Sequence, residues 1–394
     1  MIRESTQRNG LLRSPNEIGS LTFIVNGYAK LALTFGLSSL SAASYMKVTL
    51  ELRLRLALVN FHSNYPEWIG EEMYIDESVL KNEEKITFVL RALYQKSGYV
   101  RYKMSKFEEY DFYAANRDFL VSDNIISFTD TNGRLMALKP DVTLSIVRGS
   151  TDTPGSVSKV YYDENVYRVS RSSHGFKEIM QAGIECIGDL HTEDVAEVLL
   201  LAAKSLDVIS PESVLTVSHQ AVLSELFEEC GLSSEDRKQA LKYIGEKNLH
   251  ELGAMLAARG ISGETLQKVR TVLSISGPAE ESISALKAAG CGEKAVSELE
   301  QAAKVLAGEG FADRMVVDFS VVNDMSYYNG IVFKGYVRGI PSGVLSGGQY
   351  DKLMAKMGRK ARAVGFAVYM DLLERFELDT GRWQQTAEKE REDA

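Results

Sequence analysis

Apolar positions follow two rhythms along the chain. In "EEKITFVLRALYQ" (83–95), Ile86, Val89, Leu90 and Leu93 fall on one helical face, and Gly98 closes the segment. "TEDVAEVLLLAAKSLDVI" (192–209) repeats that 3.6-residue rhythm, with Thr192 and Glu197 close to capping-box spacing and Asp194 in the first turn. Elsewhere a two-residue rhythm dominates. "IISFTDTNGRLMALKP" (125–140) predicts a hairpin turning at Thr131-Asn132-Gly133, and "DVTLSIVRG" (141–149) a short helix after it. "SKVYYDENVYRVSR" (158–171) and "FKEIMQAGIECIGD" (176–189) predict a longer hairpin around Ser172, Ser173, His174 and Gly175. "YVRYKMSKFEEYDFY" (99–113) reads as extended. "SVLTVSH", "RMVVDFSVV", "GIVFKGYV" and "SGVLSGGQY" read as strands, and "AVGFAVYMDLLERF" (363–376) as a strand running into a helix. Residues 220–309 are rich in Ala, Leu, Glu and Lys, which predicts an insertion of roughly five or six short helices. Long hairpins imply an antiparallel sheet, so the expected class is α+β.

Composition narrows the function classes. The chain has 394 residues, 45% hydrophobic and 25% charged, enough for one large core or two smaller ones. A net charge of −9 counts against a nucleic-acid partner. Cys186, Cys230 and Cys291 stand far apart, and the five histidines form no HxxxH pair. No disulfide framework or metal site is therefore expected, and a reducing cytoplasm fits. The apolar stretch 21–40 is broken by Asn26 and Lys30, so no membrane span is expected. Residues 1–72 lack the later periodic order and read as an upstream extension or leader, with Met73 resembling a protein start. Walker A, GxGxxG, GxSxG and HExxH motifs do not occur, and no cofactor is expected.

What remains is a set of polar residues on strands. In "MQAGIECIG", Gln181, Gly183 and Glu185 share one face by the period of two, and Gly183 leaves floor space between two polar side chains. A carboxylate on a central strand needs a partner. Asp141 and Thr143 follow Pro140; Asp141 alone equally fits a helix N-cap. Tyr327 and Tyr328 alternate, so one is expected to face a site and the other the core. "SGGQYD" fits either a turn or a close approach of backbone to a ligand. Arg148 and Arg168 suit an anion or a surface ion pair; His174 reads as a loop residue and His219 as core.

Taken together, "LKPDVTLSIVR", "VYRVSR…FKEIMQAGIECIG", "YYNGIVFKGY" with "SGGQYDKL", and "AVGFAVYMDLLERF" resemble the catalytic core of class II histidyl-tRNA synthetases and their paralogue, the regulatory subunit of ATP phosphoribosyltransferase. The resemblance spans about residues 80–376. It implies a histidine pocket in which Asp141 holds the α-amino group beside Thr143. Gln181 and Glu185 lie on the amino-acid-binding strand, Tyr327 and Tyr328 line the imidazole end, and Arg168 keeps the motif 2 arginine position. The activation machinery is eroded: Ser170 stands for a glutamate, Leu372 for the motif 3 arginine, and Asn323 for the arginine before the tyrosine pair. Ser105 takes the motif 1 proline position, and Lys139 stands where arginine is common.

The resemblance therefore implies a chain with no catalytic residues of its own. It would bind L-histidine and form a homodimer within a hetero-oligomer with a short-form catalytic subunit in the first step of histidine biosynthesis. Two alternatives stay open: a divergent synthetase-like enzyme activating an amino acid, or a stand-alone histidine-binding module. The expected organisation is a core in two parts, 73–219 and 310–378, around the insertion 220–309, with a charged tail at 379–394 and no room for an anticodon-binding domain.

Overall fold

The computed structural model describes residues 79–120, 124–151, 153–170, 175–321, 327–374 and 376. Contacts divide the chain into Met1–Asp76 and Glu77–Ala394, and all described residues lie in the second unit. The expectations for residues 1–72, His174, Asn323 and the tail 379–394 fall outside the described residues.

Helix α1 (Asn82–Lys96) buries Ile86, Leu90 and Tyr94 and carries Glu83 and Glu84 in its first turn. Strand β1 (Val100–Arg101) follows, then β2 (Phe107–Glu109). The extended reading of 99–113 is corrected at its end, where Tyr110–Ala115 form helix α2 with Tyr113 buried. Aromatic residues favour strands only as far as packing allows, and here the buried ring sets the local conformation. Strands β3 (Ser127–Thr129) and β4 (Leu135–Leu138) form the hairpin around Asn132-Gly133. With β2 they make a three-stranded sheet, ordered β2-β4-β3. Helix α3 (Val142–Gly149) begins at Asp141, whose carboxylate accepts from the Leu144 N–H at 2.9 Å.

A nine-stranded sheet carries the rest of the core. Strands β5 (Val157–Val169) and β6 (Phe176–Gly188) pair along their full length, with Glu164 opposite Gln181 and Tyr162 opposite Gly183. Helix α4 (Thr192–Ile209) packs beneath them. Its cap differs from the expected box: the His191 N–H donates to Asp194 at 2.9 Å, so the first turn is closed one residue earlier. Strand β7 (Ser213–His219) leads into the insertion. That insertion holds six helices: α5 (Gln220–Glu229), α6 (Ser234–Gly245), α7 (Leu249–Ala258), α8 (Gly263–Leu273), α9 (Ala279–Ala288) and α10 (Glu293–Gly308). It also supplies a short strand, β8 (Ser276–Pro278), which the sequence reading missed.

The chain returns through β9 (Met315–Asp318), β10 (Ile331–Val337), β11 (Leu345–Gln349), helix α11 (Asp351–Lys356) and β12 (Arg362–Tyr369). The expected final helix is a single 3-10 turn, Met370–Leu373. Sheet order is β1-β5-β6-β12-β11-β10-β7-β9-β8. The central pairs are antiparallel, while β1 with β5 and β7 with β9 run parallel. Helix α4 and the insertion cover one face in a continuous core. The other face, flanked by α2, α3 and α11, holds a smaller apolar cluster and an open floor.

Candidate ligand-binding site

On that open face, β5, β6, β12, β11 and β10 bring their alternate residues into adjacent rows. One row runs Tyr162, Gly183, Ala367, Ser346, Lys334; the next places Gly365 opposite Glu185. Above this floor lies a cavity of about 330 Å³. The sheet supplies Gln181, Glu185 and Arg168, the α3 N-terminus supplies Asp141 and Thr143, and the loop before β10 supplies Tyr327 and Tyr328. All seven residues that the resemblance assigns to the pocket thus line one cavity. Arg148 does not: it pairs with Glu108 at 2.6 Å and lies over the Phe112 ring.

Glu185 is the centre of the polar end. It is only 2% exposed. Thr143 Oγ1 donates to its Oε1 at 2.7 Å, and the Tyr350 hydroxyl donates to its Oε2. Burial pushes its pKa up to about 8; the two hydrogen bonds oppose that shift and the Asp141 charge adds to it. Burial likewise raises Asp141, against the Leu144 N–H and the Arg168 charge. A buried and a half-buried carboxyl group facing one cavity make a cation or N–H donor a favourable occupant. Tyr162, Tyr327, Tyr328 and Tyr350 are raised by burial and stay neutral phenols.

Both tyrosines of the pair face the site, which corrects the expectation that one turns to the core. Their ring centroids stand 4.4 Å apart, so they line the wall side by side. A clamp holds this stretch: Asn329 Nδ2 donates to Asp351 at 3.0 Å and Asn329 Oδ1 accepts from the Asp351 N–H at 2.9 Å. "SGGQYD" is no turn but the strand β11 and the start of α11. A side chain at Gly348 would meet the Tyr328 ring, 2.6 Å from an ideal Cβ, so that glycine makes room for a neighbour's ring. Gly183 behaves alike. The floor space foreseen there is taken by the Tyr162 hydroxyl and the Phe366 carbonyl. Arg168 is anchored where Nε donates to the Pro140 carbonyl at 3.1 Å, tying β5 to the turn that carries Asp141.

Tyr162, Lys334, Ser346, Tyr350 and Tyr369 line the cavity without having been singled out in the sequence. Period-two counting from Gly183 marks Tyr162 once the register is known, whereas Tyr350 gives no local signal. At the positions where activation chemistry would need charge, Leu372 packs against the core and Ser170 is buried. Lys139 lies outside the cavity; fully buried, it pairs with Glu164 at 2.9 Å and acts as a structural cation beneath β5. His219 is core as expected, accepting from the Ala221 N–H and lying 3.1 Å from Glu298. Among the described residues no group of His, Cys, Asp and Glu is arranged to hold a metal, and no helix is long and apolar enough to cross a membrane.

This architecture is a class II synthetase-like core, and the histidyl-tRNA synthetase family model matches residues 75–373. A curated relative, the ATP phosphoribosyltransferase regulatory subunit of Clostridium kluyveri, is 30% identical over 326 residues, covering 80% of this chain and 82% of its own. A solved structure described as an ATP phosphoribosyltransferase regulatory subunit/histidyl-tRNA synthetase from Bacillus halodurans superposes with a TM-score of 0.66 at 25% identity, over 79% of this chain and 80% of that one. An ATP phosphoribosyl transferase complex from Thermotoga maritima contains a chain of the same fold, with a TM-score of 0.59 at 20% identity, over 73% and 97%. The chain belongs to the family of ATP phosphoribosyltransferase regulatory subunits, built on the histidyl-tRNA synthetase core.

Proposed function

We propose that the cavity binds L-histidine and that its occupancy sets the activity of a catalytic partner. The chain is a non-catalytic regulatory subunit of ATP phosphoribosyltransferase, acting in histidine biosynthesis within a hetero-oligomer with the catalytic subunit. The observation that supports histidine as the ligand is the convergence of Asp141, Thr143, Arg168, Gln181, Glu185, Tyr327 and Tyr328 on one cavity. An amino acid with a basic ring offers an ammonium to Asp141, a ring N–H to Glu185 and its tyrosines, and a carboxylate to the cations. The core is assigned to 73–219 and 310–378, with 220–309 as the insertion.

Regulation requires that histidine bind one state of the complex more tightly than the other, and the coupling is reciprocal. The test is calorimetric titration with L-histidine, alongside inhibition of the assembled complex. Binding whose affinity tightens or weakens on assembly, together with no histidine-dependent ATP–pyrophosphate exchange, is expected. Robust exchange overturns the regulatory reading; absence of histidine binding overturns the ligand.

Binding should also carry a pH signature. Free Glu185 holds its proton up to about pH 8, while a free imidazole gains one below about pH 6.5. The bound pair shares one proton. Between these values free and bound states carry the same proton count, so affinity is flat. Above about pH 8 a proton must be taken up on binding, and below about pH 6.5 one must be released, so affinity falls about tenfold per unit outside the plateau. Titrations across pH 5.5–9 check this; a steady rise through pH 8 places the ligand ammonium on Glu185 instead.

For the homodimer, the three-stranded sheet offers a surface. Phe107 and Phe128 are both exposed and meet edge-to-face at 5.6 Å. Phe107→Glu is expected to shift the free subunit to monomer in sedimentation velocity while leaving its circular dichroism unchanged. A dimer persisting in that variant moves the interface elsewhere.

A further inference from the structure

The cavity has a second end that the histidine-pocket residues leave unexplained. Lys334 points onto the same floor from β10. It is half-buried, and it forms no ion pair among the described residues. Its cross-strand neighbour on that face is Ser346, and Ser346 in turn stands opposite Ala367. Glu185 lies across β11 and β12, one two-residue step further along. Three strand spacings and one such step separate the two Cα atoms by roughly 16 Å. Side chains based that far apart on one cavity floor can reach the two ends of one amino acid lying with its ring at Glu185 and its carboxylate at Lys334.

The other cation of the cavity is already engaged. Arg168 donates through Nε to the Pro140 carbonyl, and its charge acts on Asp141 and Tyr369. A ligand carboxylate would give the half-buried ammonium of Lys334 the charge-assisted partner that the described residues do not supply.

We propose that Lys334 is the carboxylate-binding residue of this pocket and makes it select amino acids over derivatives that lack the carboxylate. The proposal rests on reading the cavity as a histidine site. The chemistry it recognises is an α-carboxylate held at the opposite end from an imidazole.

The test compares L-histidine with L-histidinol, which has a hydroxymethyl group in place of the carboxylate, by calorimetry on the intact protein. The wild type should favour histidine by about 10- to 100-fold, the range of a charge-assisted hydrogen bond. Lys334→Met should reduce that preference to less than about threefold while histidinol affinity stays within about twofold. Lys334→Glu should reverse the preference, and Lys334→Arg should restore most of it. Melting curves confirm folding of each variant, and the charge-reversed variant gives an independent reading where the apolar one is unstable. Retention of the tenfold preference in Lys334→Met and Lys334→Glu overturns the role of Lys334 alone. Failure of the wild type to bind either compound overturns the histidine site and this inference together.

Discussion

Glu185→Gln is expected to weaken histidine binding by about 10- to 150-fold, the cost of losing a charge-assisted partner, and at the same time to stabilise the empty protein. The second effect follows from the same burial. The carboxyl sits near 4.5 in the unfolded chain and is pushed up to about 8 in the folded one. The folded state therefore binds the proton more tightly. Its stability is undiminished below about pH 4.5 and declines as pH rises towards 8, because the buried group is then driven to ionise. That shift corresponds to a penalty on the order of several kcal/mol at pH 8. Glutamine is neutral at every pH and keeps the shape: its oxygen accepts from Thr143, and its amide donates to the Tyr350 oxygen. The melting temperature of the variant should exceed the wild type at pH 8 and match it near pH 5. The fall in histidine affinity above pH 8 should vanish too, since no shared proton remains. A variant that melts lower than the wild type at pH 8 shows that Glu185 is held ionised by something other than its neighbours in this structure.

The trade between site and stability explains what could be read from the sequence. Glu185 stood out because an acidic residue in "MQAGIECIG" has no reason in packing, and its face followed from a period of two. The β3–β4 and β5–β6 hairpins were legible because their turns lie between two local apolar runs. The six insertion helices were legible from their periodicity. What stayed hidden depends on sheet order. Tyr350, Ser346 and Lys334 reach the cavity only because β11 and β10 follow β12 beside β6, and no local pattern encodes that register. The tyrosine pair misled for a related reason. Alternation holds within a strand, but Tyr327 and Tyr328 precede β10 on a loop pinned by Asn329 and Asp351, where both rings can turn the same way. Strand β8 was missed because three residues, one of them Pro278, carry no strand signal of their own.

Gly365→Ala is expected to abolish histidine binding to the limit of calorimetry and to destabilise the fold by about 2–3 kcal/mol, the upper part of the usual cost of overpacking. Gly365 lies directly opposite Glu185 across the β6–β12 ladder. An ideal Cβ there would overlap the Glu185 carboxylate and stand 2.6 Å from its Cδ and 2.5 Å from the Ile184 carbonyl oxygen. The obstacle is partly backbone in the centre of a sheet, so the strand cannot give without breaking ladder hydrogen bonds. The carboxylate must move instead. It then leaves the half-buried Thr143 hydroxyl and the buried Tyr350 phenol without their acceptor. This separates two roles for glycine in one face. Gly348 and Gly183 admit neighbouring tyrosines, while Gly365 admits the acid itself. The double variant Glu185→Gln with Gly365→Ala should show strong coupling, since both act on the same few ångströms: its stability loss should differ from the sum of the single effects by more than about 0.5 kcal/mol. Additive effects in chemical denaturation, or a Gly365→Ala protein that binds histidine normally, would show that the floor opposite Glu185 has room the structure does not display.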